Sequence, residues 1–161
     1  NEILIYSKIE AGKTELEEDT FIFKDLIDDI QMVLGENAKM KNLEILVSTA
    51  NDLDKSFVGD SQKIKQVLIN LVGNAIKFTD KGSIKVMSEI ESSNKILTKI
   101  KIQVKDTGKG IPKEKLAAIF NEFMQNELPE TKNYSGTGLG LTISKKYIEI
   151  SKNFINNASE A

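Results

Sequence analysis

Hydrophobic positions recur along this chain with two different periods. From Ser61 to Thr79, SQKIKQVLINLVGNAIKFT, the residues Ile64, Val67, Leu68, Leu71, Val72, Ala75 and Ile76 follow steps of three and four. That spacing predicts a helix with one face turned to a core. Gln66, Asn70, Asn74 and Lys77 form a second stripe beside the first. Solvated helix faces favour Glu and Lys, and two Asn lower helix propensity. This stripe is therefore either a polar face that happens to use Asn or one with a task, and the choice rests on the motifs downstream.

From Ser83 the period falls to two. Ile84, Val86 and Ile90, then Ile100, Ile102 and Val104, alternate with polar residues on either side of a Ser-Ser-Asn turn. An antiparallel pair with one buried face is predicted. Upstream, Asn1–Lys13 reads as the end of a helix with Ile3, Leu4 and Ile9 on its apolar face and Gly12-Lys13 as its stop. So short a helix needs a partner to hold it. Phe21–Phe23 reads as a strand, Lys24–Lys39 as a helix carrying Leu26, Ile27, Ile30, Val33 and Leu34, and Leu43–Ser48 as a strand. Phe57–Asp60 is extended, with Asp60 or Ser61 as the cap of the central helix. Downstream, a short helix is predicted between Pro112 and Phe123, a mobile loop over Met124–Ser135 and a helix from Leu139 to about Lys152. No element is predicted in the polar tail.

Composition narrows the chemistry. With no cysteine there are no disulfides, thiol nucleophiles or thiolate metal sites, and with no histidine the commonest general base and metal ligand are missing. The 22 basic and 24 acidic residues nearly cancel, so no strong field draws the chain to nucleic acid or anionic lipid. No apolar run approaches the roughly 18 residues of a membrane span. The chain opens without Met, and a longer parent is expected.

Two glycine-bearing stretches carry candidate chemistry. In Asp106-Thr107-Gly108-Lys109-Gly110-Ile111-Pro112 the glycines allow a sharp turn and room for a flat ligand, beside a carboxylate fixed at a strand end. Such a carboxylate is a specific acceptor for an exocyclic amine. In SGTGLGLT, Ser135–Thr142, alternate glycines run straight into a helix, where backbone N–H groups and the positive helix end suit phosphate. The spacing matches neither the P-loop nor the dinucleotide fingerprint. Phe120 and Phe123 read as a hydrophobic anchor for the base of the intervening lid.

In order, N-x-x-x-N-A-x-K-F-T, D-x-G-x-G-I, F-x-x-F and G-T-G-L-G-L resemble the catalytic, ATP-binding domain of sensor histidine kinases. These belong to the wider Bergerat-fold group with gyrase B, the Hsp90 chaperones and MutL. The resemblance covers Asn1 to about Ile150, and YSKIEAGKTELE resembles the end of the dimerisation hairpin's second helix. It implies residues 1–15 as that hairpin end and linker, and 16–161 as the ATP domain. It implies an α/β (α+β) two-layer sandwich, a mixed, mostly antiparallel sheet covered on one face by three helices. It also implies ATP and Mg²⁺ as cofactors. Asn74 would ligate the metal, Asn70 support metal or phosphate, and Lys77 contact phosphate; these three carry catalysis. Phe78 would pack on adenine and Asp106 accept from its amine, with Gly108 and Gly110 shaping the pocket. Gly136, Gly138 and Gly140 would hold phosphates, with Ile111, Phe120, Thr137 and Leu139 also in contact with nucleotide.

Hydrolysing members of the group place a Glu one turn before the metal Asn. Here Asn70 stands there and cannot act as a base, so ATP is expected to be held for transfer with little hydrolysis. The acceptor histidine must lie outside these residues, on a dimerisation domain that would make the parent a homodimer, with a response regulator downstream. The segment is expected to be cytoplasmic, whether or not the parent is membrane-anchored. In place of the family's M-G-G and closing strands stands KKYIEISKNFINNASEA, so C-terminal strands are expected to be missing or diverged. That departure leaves a non-catalytic nucleotide-binding regulatory module as one alternative. An anti-sigma-type serine kinase, sharing the same motifs, is the other.

Overall fold

A computed structural model describes residues 2–122 and 137–151, and the backbone of 156–157. The elements are α1 (Glu2–Glu10), β1 (Asp19–Ile22), α2 (Phe23–Met40), β2 (Leu43–Thr49), β3 (Ser56–Gly59), α3 (Ser61–Phe78), β4 (Gly82–Ser93), β5 (Thr98–Asp106), α4 (Gly140–Ser151) and β6 (Asn156–Asn157). The α/β sandwich read from the sequence is present, but its described strands form two three-stranded sheets rather than one. One has the order β1-β3-β6, the other β2-β4-β5. All described pairs are antiparallel except β2 with β4, where Leu43 lies opposite Gly82 and Thr49 opposite Ser88. A parallel pair needs a long crossover, and α3 lies within it.

The apolar stripe of α3 does not face a single core. Leu68, Val72, Ala75 and Ile76 pack with Phe23, Leu26, Ile27, Ile30 and Leu34 of α2 over Leu43, Ile84 and Val86 of the sheet. Val67, with Leu71 beside it, turns instead to a second cluster with Leu139, Ile143 and Tyr147 of α4 and Ile9 of α1. Each large apolar side chain so buried contributes roughly 1.5–3 kcal/mol. The first cluster has 15 buried members among the described residues and the second five, so the fold rests on the first.

Several boundaries and faces differ from the sequence reading. Phe23 opens α2 instead of ending β1, because its ring is drawn into the main core at 1% exposure. Val33 is exposed, and Ala38 takes the inner position a turn later. On α1 the buried side is Ile5, Tyr6 and Ile9, whereas Ile3 and Leu4 are exposed. The partner this short helix needs is α3 and α4. The stop is as expected: Gly12 and Lys13 N–H groups return to the Ile9 and Lys8 carbonyls, both at 3.0 Å.

The helix predicted between Pro112 and Phe123 is, over its described part, a 3-10 turn at Lys113–Lys115 followed by further turns through Asn121. Leu116 and Phe120 are exposed, so little packing favours extension into a longer helix. The loop predicted over Met124–Ser135, and Phe123, lie outside the described residues. The tail, read as having no element, supplies β6, where Asn156 and Asn157 pair with Val58 and Phe57. One edge of β3 is thereby partly covered.

Candidate functional site

The site is built along α3, and its two ends are finished by different chemistry. At the N-terminus, Asp60 is the cap: Oδ1 accepts from Lys63 N–H at 2.9 Å, and Oδ2 accepts from Glu17 N–H at 2.9 Å and from the Lys63 ammonium. Asp19 accepts from Ser61 N–H at 3.0 Å and from its hydroxyl at 2.5 Å. Burial opposes ionisation of Asp60, but the Lys63 ammonium and the Glu17 and Lys63 amides outweigh it and hold its carboxyl below the usual aspartate value of 3.8. A groove of about 460 Å³ opens nearby between β1, α2 and α3. Two of the three charged side chains lining it, Lys65 and Asp29, are paired with each other at 2.7 Å.

At the C-terminus, β5 ends on Asp106, opposite Ile84, as the sequence predicts. Asp106 Oδ1 accepts from Gly108 N–H at 2.8 Å, which closes the turn. Among the described residues Oδ2 has no such donor. Thr107 fastens the turn to the start of β4: its N–H donates to Ser83 O at 3.2 Å and its Oγ1 accepts from Ser83 N–H at 3.1 Å. Gly108 lies hard against the end of α3. A Cβ there would stand 2.5 Å from the Phe78 carbonyl oxygen, 2.8 Å from Asp106 Oδ1 and 3.0 Å from Thr79 Oγ1. Only glycine fits so close an approach. Thr79 is fully buried, and its hydroxyl has no hydrogen-bond partner among the described residues. An unmet buried hydroxyl beside an open carboxylate marks this end as the one that awaits a ligand.

The polar stripe of α3 runs from here toward α4. Asn74 Nδ2 donates to Asn70 Oδ1 at 3.4 Å, and Asn70 Nδ2 donates to Ser144 Oγ at 2.8 Å. Gly140 opens α4 directly over Asn70, and a Cβ on it would collide with the Asn70 carboxamide. Lys77 and Lys109 place their ammonium groups 5.2 and 5.9 Å from the Phe78 ring centroid, gathering positive charge beside the Asp106 turn. Helix rise separates Asn70 from Phe78 by about 12 Å, a span that an extended nucleoside triphosphate covers.

The structure thus groups Lys77, Phe78, Asp106 and Gly108 at one end, and Asn70, Asn74 and Gly140 at the other. Gly110 and Ile111 follow the turn and are exposed. Thr137 Oγ1 accepts from Leu139 N–H at 3.2 Å and donates to Glu2, with Gly138 between them. Leu139 itself is fully buried in the second core. Phe120 is 40% exposed. Its carbonyl accepts from the buried Thr142 hydroxyl at 3.0 Å, and its ring lies 5.9 Å from the Lys145 ammonium. Gly136 lies outside the described residues.

Three contributors were missed in the sequence reading: Thr107, Thr79 and Ser144. The first two sit inside quoted motifs, and the place of Thr107 beside Gly108 was a usable signal. Ser144 had none, since its role exists only once α3 and α4 touch. Among the described residues no cluster of three His, Cys, Asp or Glu could hold a metal unaided, and no helix is long and apolar enough to cross a membrane.

Fold and site together define a two-layer α/β domain whose motifs gather along one helix. A family model described as histidine kinase-, DNA gyrase B-, and HSP90-like ATPase matches residues 59–159. The signal transduction histidine-protein kinase BarA of Escherichia coli (strain K12) is 35% identical over 148 residues, 92% of this chain but 16% of BarA. The solved catalytic domain of histidine kinase ThkA, nucleotide-free, is 34% identical with a TM-score of 0.67, over 85% of this chain and 82% of that one. Full-length ShkA in complex with AMPPNP gives a TM-score of 0.81 at 25% identity, over 94% of this chain and 30% of that one. ThkA has also been solved in complex with the response regulator protein TrrA, and that chain matches with a TM-score of 0.59 at 32% identity, over 76% of this chain and 36% of that one. This chain belongs to the histidine kinase-, gyrase B- and HSP90-like ATPase family, as the ATP-binding catalytic domain of a sensor histidine kinase.

Proposed function

We propose that this domain binds ATP with Mg²⁺ along α3 and donates the γ-phosphoryl group to a histidine carried outside these 161 residues. The observation that carries the reading is the pairing of two contacts on one helix: Gly108 against Phe78 and Thr79, and Gly140 against Asn70. These join three of the four motifs along a single track of the right length.

Asp106 Oδ2 would accept from the adenine amine, while Oδ1 stays engaged with Gly108. Lys77 would neutralise phosphate charge, and the glycines at the start of α4 would present N–H groups to phosphate oxygens. The donor set fits magnesium only as a guest on phosphate, through Asn74 Oδ1 and supported by Asn70, since no acidic cluster is present among the described residues. When bound, the ion would neutralise the charge of the phosphate oxygens. In the transfer, a P–N bond to the imidazole forms as the bond to the β–γ bridging oxygen breaks, and ADP leaves with that electron pair. The imidazole N–H proton passes to solvent. Asn70 in place of a carboxylate leaves no base to activate water, so transfer prevails over hydrolysis.

Residues 1–15 fit the end of the histidine-bearing hairpin, which would make the parent a homodimer. The TrrA complex of ThkA supports a response regulator as the next acceptor. A cytoplasmic position would give such a domain its ATP. The test mixes this chain, γ-labelled ATP and a separately made hairpin bearing the parent's histidine. Acid-labile label on the hairpin, lost in Asp106→Asn, is expected. ATP binding without any transfer would instead make this a regulatory module.

A further inference from the structure

Lys41 belongs to none of the motifs, yet its ammonium makes three hydrogen bonds at the site end of α3. Nζ donates to the carbonyls of Ile76 at 2.8 Å, Lys77 at 3.0 Å and Thr79 at 3.2 Å. The last carbonyls of any helix lack donors within it and carry its negative end, so a half-buried cation is well suited there. The neighbouring backbone aims it. Lys41 and Asn42 N–H groups close α2 on Ala38 and Lys39 at 3.1 and 2.9 Å, and Asn42 takes the left-handed conformation at φ 55°. Leu43 then starts β2 opposite Gly82 of β4. The corner leaving α2 therefore sits beside the corner leaving α3, and Lys41 bridges them.

What Lys41 holds is the wall of the nucleotide pocket. The turn it caps carries Lys77, Phe78 and Thr79, and the Phe78 carbonyl and Thr79 hydroxyl are the surface on which Gly108, and through it Asp106, rests. The approach at Gly108 is too close to admit even a Cβ, so a shift of the Phe78 turn is passed on to the Gly108 backbone and the carboxylate it holds. We propose that Lys41 is a positioning residue for nucleotide binding: by fixing the C-terminal turn of α3 it sets the distance between that turn and Asp106. This rests on the ATP-site reading above.

The experiment is calorimetric titration of MgATP into this chain and its Lys41→Met, Lys41→Arg and Asp60→Ala variants, each with a thermal melt. Lys41→Met keeps the apolar stem and removes the donors. It should bind about ten-fold more weakly as a folded protein, since one or more charge-assisted bonds are lost. Lys41→Arg should stay within about three-fold of the parent, because a guanidinium can still donate to several carbonyls. Asp60→Ala is the control for instability at the far end of the same helix and should melt lower with its affinity kept. Unchanged affinity in folded Lys41→Met would overturn the proposal and leave Lys41 a stabilising cap alone. If Lys41→Met does not fold, Lys41→Gln, with one carbonyl in reach, decides: intermediate affinity supports the proposal and parental affinity overturns it. Absence of MgATP binding by the parent chain would overturn the nucleotide reading first, and this inference with it.

Discussion

Asp60 and Asp106 stand at opposite ends of α3 and are finished in opposite ways. Both Asp60 oxygens are taken by the protein, from Lys63 and the Glu17 amide, and the residue is 6% exposed. Asp106 gives one oxygen to its own turn and keeps the other open, on an exposed loop beside a buried hydroxyl that has no partner among the described residues. The groove near Asp60 is roomy, yet the charges along it include a closed pair. Unmet polar groups, more than empty volume, therefore locate the functional end. A carboxylate satisfied inside the fold serves stability, and one held in place but left half-open serves a ligand.

The largest break in this contrast should come from Gly108→Ala. The added methyl meets backbone oxygen, which cannot turn aside, so a loss of about 2 kcal/mol or more in urea unfolding is expected, with no measurable ATP binding. Asp60→Ala comes next, at about 1–2 kcal/mol for the lost cap. It should also change the pH dependence. Because the folded-state pKa of Asp60 lies below its unfolded value near 3.8, its contribution is present above that pH and is lost as pH falls through the folded value. Urea midpoints between pH 6 and pH 2 should fall less steeply in the variant than in the parent.

Gly140→Ala should spare the fold, because the colliding Asn70 carboxamide can rotate, yet weaken MgATP about ten-fold by removing Asn70 from Ser144. Calorimetry with a parallel melt separates the two effects. Ser144→Ala should be smallest, near 1 kcal/mol for one hydrogen bond, with a modest loss of affinity that does not add to that of Gly140→Ala. Additive losses would show that the two residues do not act through Asn70.

The base end of the site was legible in the sequence because it is local. A strand end, an Asp and a Gly two residues on already imply the Asp106–Gly108 bond. The helix was legible by its period, and so was the hairpin that delivers Asp106. The division of the α3 stripe between two cores was not, since Val67 and Leu68 look alike until α4 is placed. Nor was Lys41, whose acceptors are 35, 36 and 38 residues away. F-x-x-F suggests rings in a core, but Phe120 is 40% exposed, its ring lies 5.9 Å from the Lys145 ammonium and its carbonyl accepts from Thr142. Local chemistry was readable, and groups whose role is made by tertiary contact were not.

The most direct test pairs the two carboxylates. Asp106→Asn keeps an oxygen for Gly108 N–H but turns the open acceptor into a donor, and Asp60→Ala removes the closed one. Titrated with MgATP and melted in parallel, Asp106→Asn should lose binding by about a hundred-fold or more and melt like the parent. Asp60→Ala should melt lower and bind like the parent. Binding retained by Asp106→Asn, or lost only in Asp60→Ala, would contradict the assignment of the C-terminal end of α3 as the nucleotide site.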